Sequence, residues 1–352
     1  LGLIGCGAHG TDLLAQCESL APNVRVVAVS DAYRPRLEAV ANRSGAAMES
    51  DWRALVDRAD VDCVLIATPD HWHAPMVIRA MLSGKDVYCE GPIGRTLSEA
   101  VSVRRVAKET GAVFQCGTAD AASPHWLAAR ETIASGALGD VVWSQGNYSR
   151  DEGAARWNAP IDADFRTDAL DWQAFQGDEE ASDPDAERFF RWRKYAAYSD
   201  GIATDLLHAK LAGLQVALGA DLPKKVSAAG GIYDRDGRDV PDSFVLTAEY
   251  NAGHTIVLAS SMAQQQERPA VIRGREATLY CQGDRLELMS EGKGVAKRVI
   301  EPAAASTTHL ENWIDAVRTR TQPMCDAEFG YKTMATIDMA LRAYRTGSSV
   351  TA

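Results

Sequence analysis

Leu1-Gly2-Leu3-Ile4-Gly5-Cys6-Gly7-Ala8-His9-Gly10 opens the chain. A short apolar run, a G-x-G-x-x-G stretch and then helix-forming residues predict a strand, a tight turn and a helix N-terminus. Glycine permits the turn and a close backbone approach, and the first N–H groups of a helix attract anionic oxygen, so the pattern suits a pyrophosphate. Asp31 stands 21 residues past Gly10, at the end of the run Val29-Ser30-Asp31. A carboxylate there can accept both hydroxyls of an adenosine ribose and repels a 2′-phosphate. The pair therefore predicts a dinucleotide site, with NAD expected ahead of NADP. Arg34 and Arg36 would suit a 2′-phosphate, and Asp31 would also serve as a helix cap near Arg34. The expected contacts are Gly5, Gly7, Ala8, His9, Gly10 and Asp31.

Outward from this loop, strand-like runs alternate with helix-like ones. Strands are expected at 1–4, 24–30, 63–67, 87–89 and 113–116, and helices at 11–20, 34–43, 74–82 and 98–109. Alternation implies right-handed crossovers and a parallel sheet that binds ligands beyond the carboxyl ends of its strands. After Gly117 the rhythm changes. A helix (124–135), a strand (141–148) and a polar stretch (149–184) read as a long connection lead to several strands between 225 and 288, and helices at 310–319 and 331–344 close the chain. Closely spaced strands with Gly, Asn and Asp turns predict a mostly antiparallel sheet. The expected fold is α/β: a Rossmann dinucleotide-binding domain at 1–117, then a substrate-binding and oligomerisation α/β domain at 118–352 with an open sheet. The last helix is expected to pack back on the first domain.

Composition excludes several classes. The 352 residues are 46% hydrophobic and 24% charged, as expected of a globular protein with a sizeable core. A net charge of -11 argues against nucleic acid as a partner. No apolar run is long enough to span a bilayer, so no membrane partner is expected. Seven scattered cysteines without a C-x-x-C pair suit free thiols in a reducing compartment, and a cytoplasmic location is expected. The chain starts inside a strand, so its native start is expected upstream.

Two further stretches stand out: Ala67-Thr68-Pro69-Asp70-His71-Trp72-His73, which ends the strand from Cys63, and Gly84-Lys85-Asp86-Val87-Tyr88-Cys89-Glu90-Gly91-Pro92, which follows a helix. With the glycine loop, and with Arg191-Trp192-Arg193-Lys194-Tyr195 and Gly201-Ile202-Ala203-Thr204-Asp205, the chain resembles the Gfo/Idh/MocA family over nearly its whole length. The resemblance implies a Rossmann domain followed by an α/β domain whose open sheet mediates oligomer contacts. It also implies hydride transfer between a nicotinamide cofactor and a hydroxyl of a small sugar-like or polyol substrate, and a homo-oligomer, a dimer or tetramer. Thr68, Pro69, His71, Trp72, His73 and Glu90 are then expected beside the cofactor, and Glu90, Arg193 and Tyr195 beside the substrate.

The sequence departs from the family at its proton-transfer group. The E-K-P lysine, which in relatives hydrogen-bonds the reacting hydroxyl, is replaced by Gly91, and glycine offers no donor. Many relatives carry an aspartate with a histidine four residues on. Here Asp205 is followed by His208 at three and Ala209 at four, and both spacings share one helical face. His208, oriented by Asp205, is therefore the expected acid/base pair. Lys210 points elsewhere on the helix. Each candidate also has a plainer reading: a buried helix histidine, a structural carboxylate, a solvated basic segment at Arg191–Tyr198. His71 and His73 lack a third nearby ligand, so no metal is expected. Cys6 and Cys89 read as core thiols. Without the lysine, two other functions stay open: a redox-neutral NAD-dependent glycosidase or lyase working by transient oxidation, and a catalytically degenerate nucleotide- or sugar-binding protein.

Overall fold

A computed structural model describes residues 1–20, 24–150, 156–178, 182–219, 221–234, 236–263, 265, 268–283, 285–292, 296–302 and 307–352. The chain forms two compact units, each assembled from separate stretches. One is Leu1–Gly117 with Gly153–Ser199 and His309–Tyr331; the other is Thr118–Glu152 with Asp200–Thr308 and Lys332–Ala352.

The first unit is built on six short strands: β1 (Gly2–Ile4), β2 (Ala28–Ser30), β3 (Ala47–Glu49), β4 (Cys63–Ile66), β5 (Asp86–Cys89) and β6 (Phe114–Cys116). They pair in the order β3-β2-β1-β4-β5-β6, all parallel. Helices α1 (Ala8–Leu20), α2 (Arg34–Ser44), α3 (Trp52–Asp57), α4 (Asp70–Leu82) and α5 (Leu97–Thr110) run between them. The chain builds outward from β1 to β3 and then returns to the other side of β1 with β4. That reversal opens a crevice beyond the carboxyl ends of β1 and β4, where such sheets bind ligands.

Several boundaries differ from the sequence expectation. Helix α1 starts at Ala8 rather than Thr11, so the glycine motif supplies its first turn. The second strand is only Ala28–Ser30. Helix α4 starts at Asp70 rather than Ala74, because Pro69 takes the N-cap position in extended conformation and Asp70 places a carboxylate in the first turn. His71, Trp72 and His73 are therefore helical. Strand β3 and helix α3 had no counterpart in the sequence reading. A three-residue strand at a sheet edge and a six-residue helix are too short to show a period.

The polar stretch at 149–184, expected as a connection, is packed structure where it is described; 151–155 and 179–181 lie outside the described residues. Short helices Trp172–Gln176 and Ala186–Phe190 with 3-10 turns bury Trp172, Phe175, Phe189, Tyr195 and Tyr198 in one cluster with Tyr33. A bridge between Tyr33 and Leu170 and a bond from Asp171 N to Ala32 O (2.9 Å) tie it to the end of β2. Leu310, Trp313 and Ile314 of the helix His309–Thr319 pack with Leu3, Leu14, Leu65 and Tyr88 in a separate cluster. The penultimate helix thus returns to this unit. The final helix, Ala327–Thr346, begins in this unit, where Gly330 lies against Ile93 and Cys116.

The second unit holds nine strands: β7 (Val141–Asn147), β8 (Pro223–Gly231), β9 (Ser243–Tyr250), β10 (Thr255–Ser261), β11 (Ala270–Gly274), β12 (Ala277–Gln282), β13 (Arg285–Ser290), β14 (Lys297–Ile300) and β15 (Val350–Thr351). Their order is β14-β13-β12-β11-β7-β10-β9-β8-β15, antiparallel throughout except where β7 meets β10. Burial alternates along β9 and β10, as expected when one sheet face is covered. The helix Leu206–Leu218 covers it, and Gly213 lets Trp126 of the helix Pro124–Ala134 approach: an added Cβ would lie 2.2 Å from its indole nitrogen.

Candidate active site

In the first unit the glycine loop is shaped by its own backbone. Gly5 has φ +94°, and a Cβ there would lie 2.6 Å from Ala67 O; a Cβ on Gly10 would lie 2.0 Å from Gly5 O. Gly7 is different. A Cβ there would meet only the Arg36 guanidinium, at 3.7 Å, so this face of the loop is open. Ala8, His9 and Gly10 form the first turn of α1, whose N–H groups have no partner within the helix. An open glycine face next to a helix N-terminus fits a pyrophosphate.

Asp31 stands at the end of β2 with both carboxylate oxygens placed by backbone N–H groups: Cys6 N donates to Oδ2 and Tyr33 N to Oδ1, each at 2.7 Å. Burial raises its pKa, against the opposing pull of Arg36 and of these two bonds. Each oxygen retains lone-pair capacity for a further donor, so the acid fits a ribose hydroxyl pair. Arg36 is held in place by stacking on Phe189 (4.8 Å) and Phe190 (5.0 Å).

Beyond β4, the expected cofactor neighbours turn toward protein partners. His71 Nε2 and Trp72 Nε1 both meet Phe175 O, at 2.8 and 2.9 Å. A carbonyl only accepts, so the His71 proton sits on Nε2; burial lowers this histidine to about 4, and the ring is neutral. Its Nδ1 is buried without a hydrogen-bond partner among the described residues. Thr68 Oγ1 lies 3.7 Å from Met76 Sδ. Both nitrogens of His73 meet carbonyl oxygens, Nδ1 at Pro92 (2.7 Å) and Nε2 at Thr68 (2.9 Å).

Beyond β5, Glu90 accepts from Tyr88 Oη (3.1 Å) and faces His9 Nε2 (3.3 Å). Burial pushes its pKa up, but the bond and charge of His9, the charge of His309 and the Tyr88 hydroxyl bring the net shift down, so Glu90 is a carboxylate. Behind it, His309 Nδ1 lies 3.2 Å from both Tyr88 Oη and Gln115 Nε2, and burial lowers His309 to about 4. Burial also raises the thiols of Cys6 and Cys89, which keeps both protonated. All seven cysteines are free.

The basic segment lies in the same unit. Arg193 stacks over Trp192 at 4.0 Å. Tyr195 is buried in the aromatic cluster under Arg188, and Tyr198 is fully enclosed, so these rings are core rather than an open stacking wall. Arg95, which motif reading passed over, donates to Ala197 O (2.7 Å) and Ala196 O (2.5 Å), and Ser199 Oγ donates to Asp70 Oδ2 (2.7 Å). These bonds fasten residues 195–199 beside the loops after β4 and β5. Only long-range contacts reveal Arg95 and Phe175; no local pattern marks them.

In the second unit Asp205 occupies the N-cap position of the helix Leu206–Leu218, and His208 is buried in its first turn. Lys210 lies over Trp126 (5.7 Å) and Tyr148 (5.5 Å). Among the described residues no group of three His, Cys, Asp or Glu could hold a metal, and no helix is long and apolar enough to cross a membrane.

Residues 1–118 match a family described as an oxidoreductase family with an NAD-binding Rossmann fold, and residues 130–352 match its C-terminal α/β domain. An inositol 2-dehydrogenase of Rubrobacter xylanophilus is 34% identical over 147 residues, 42% of each chain. A levoglucosan dehydrogenase of Pseudarthrobacter phenanthrenivorans is 33% identical over 117 residues, 33% of this chain and 30% of that one. The alignment thus spans less than half the length of these relatives. Among solved structures, a levoglucosan dehydrogenase in complex with NADH and levoglucosan superimposes with a TM-score of 0.78 at 19% identity, over 99% of this chain and 98% of that one. An oxidoreductase from Agrobacterium radiobacter, in complex with NAD+, L-tartaric acid and magnesium, gives 0.77 at 18% identity, over 99% and 97%. At these identities the structures share the fold.

Proposed function

The chain belongs to the Gfo/Idh/MocA oxidoreductase family, and from that premise we propose that it is an NAD-dependent oxidoreductase acting on a hydroxyl of a polyol or sugar-like substrate, with an acid/base group other than the usual lysine. The observation that carries the reading is the pairing of an open Gly7 face at the start of α1 with Asp31 at the end of β2, whose two oxygens accept from Cys6 N and Tyr33 N. The names of the inositol and levoglucosan dehydrogenases support the substrate class.

In this reading the backbone of Gly5–Gly10 holds the pyrophosphate and Asp31 accepts the adenosine ribose hydroxyls. Bound NAD supplies the hydride acceptor. Glu90, kept ionised by His9 and Tyr88, borders the nicotinamide side, where a fixed negative charge favours the cationic ring. Gly91 contributes no proton acceptor. Asp205 and His208 are the residues proposed for the hydroxyl proton, and Arg193 is the residue proposed to orient the substrate.

The same Gly91 favours one second reading, a redox-neutral cleavage in which the hydride returns to the substrate. Incubating the protein with NAD and a panel including myo-inositol and levoglucosan tests both. Substrate-dependent formation of reduced nicotinamide is expected. NAD-dependent cleavage of a chromogenic glycoside without net NADH would favour the second reading, and silence in both assays would overturn the proposal.

A further inference from the structure

His73 has an arrangement that a neutral imidazole does not satisfy. The side chain is 1% exposed, Nδ1 lies 2.7 Å from Pro92 O, and Nε2 lies 2.9 Å from Thr68 O. Peptide carbonyls accept and never donate, whereas a neutral imidazole has one N–H and one lone pair. In either neutral tautomer a buried nitrogen lone pair would face a carbonyl oxygen at contact distance, a repulsion without water to relieve it. Turning the ring over about Cβ–Cγ would set carbon atoms against both oxygens, so the nitrogens are placed where the acceptors are.

We propose that His73 is a buried imidazolium, carrying a proton on each nitrogen, that clamps the loop after β4 to the loop after β5. Thr68 and Pro92 flank the stretch in which Pro69, Glu90 and Gly91 stand, so the clamp sets the spacing of the two loops beside the proposed nicotinamide position. His73 thereby acts as a positioning residue and not as a cofactor contact: both ring nitrogens are committed to protein carbonyls. Asp70, buried three residues earlier on the same side of α4, accepts from Ser199 Oγ (2.7 Å). Neighbouring His71 is neutral, with its one proton committed to Phe175 O, so it adds no second cation.

The charge state is independent of activity; only the functional consequence of the clamp rests on the dehydrogenase reading. Nitrogen-15 spectra of the full chain at neutral pH, without added NAD, report the imidazole directly. The ring is identified by couplings across its hydrogen bonds to carbon-13 carbonyls at Thr68 and Pro92. Two protonated nitrogens are expected, one coupled to each carbonyl; one unprotonated nitrogen overturns the imidazolium. A second arm uses His73→Asn, whose amide mimics Nδ1, and His73→Gln, whose amide mimics Nε2. Each keeps one link of the clamp. Both are expected to fold and to lose about tenfold or more in kcat with a smaller change in KM for NAD, since a charge-assisted bond is lost at one loop. Wild-type kinetics in either variant would overturn the clamp. Absence of turnover in the wild-type protein would count against the dehydrogenase reading alone, leaving the spectra to decide the charge.

Discussion

The glycine loop at residues 5–10 and the segment at residues 156–199 lie in one unit and are held by opposite means. The loop is backbone against backbone: Gly5 sits under Ala67 O, Gly10 under Gly5 O, and Cys6 N on Asp31. The segment is ring against ring, with Phe175 at its hub, 5.2 Å from Trp172, 5.0 Å from Phe189 and 5.0 Å from Tyr198, while its carbonyl takes the ring N–H groups of His71 and Trp72. The loop therefore fails when atoms are added, and the segment fails when atoms are removed. That contrast sets where each tolerates change.

The largest effect is expected in the segment. Phe175→Ala should cost about 3–5 kcal/mol, the range for deleting a buried aromatic ring, read from the midpoint of chemical unfolding. A midpoint within error of wild type would mean that the cluster does not support its unit. Next comes Gly10→Ala, which places a carbon against the Gly5 carbonyl and should cost about 3 kcal/mol with loss of NAD binding. Gly7→Ala is its control: with only Arg36 nearby, it should fold as wild type and weaken NAD binding. Equal unfolding midpoints for the two alanine variants would break the distinction between the closed and open faces of the loop.

Acid should act on both regions. His309 behind the sheet and His71 beneath the segment are each lowered by burial from 6.5 to about 4. Below pH 6.5 the unfolded chain takes up protons that the folded one refuses, so stability is lost as pH falls from 6.5 toward 4 and is unaffected by these groups above that window. Between pH 7 and 5 this amounts to about 2 kcal/mol for His309. Unfolding measured at both pH values in wild type and His309→Gln should show a smaller acid loss in the variant; an identical loss would place the sensitivity elsewhere. The smallest effect is expected at Asp31→Asn, which keeps the shape and removes the charge. NAD affinity should fall about tenfold and the preference over NADP should narrow, and unchanged discrimination would remove Asp31 from cofactor selection.

The two regions also differ in how far the sequence announces them. The loop is legible because its constraint is local: residues close in sequence form the turn, and Asp31 stands at a distance set by one crossover. The nine-stranded sheet was legible in kind, since its alternation and turn residues are local too. Residues 156–199 were not, because Trp172, Phe175, Phe189 and Tyr198 follow no period and acquire their meaning only on meeting Tyr33 and His71. His73 shows the same limit within a motif. Its place in the pattern suggested a cofactor neighbour, whereas Thr68 O and Pro92 O, 5 and 19 residues away, occupy both of its nitrogens.

A calorimetric titration of the full chain with NAD and with NADP tests most directly the claim that Gly5–Gly10 and Asp31 form an NAD site. One NAD site per chain is predicted, with NADP weaker and Gly10→Ala silent. A folded wild-type chain that takes up neither nucleotide, or binds NADP more tightly, would contradict it.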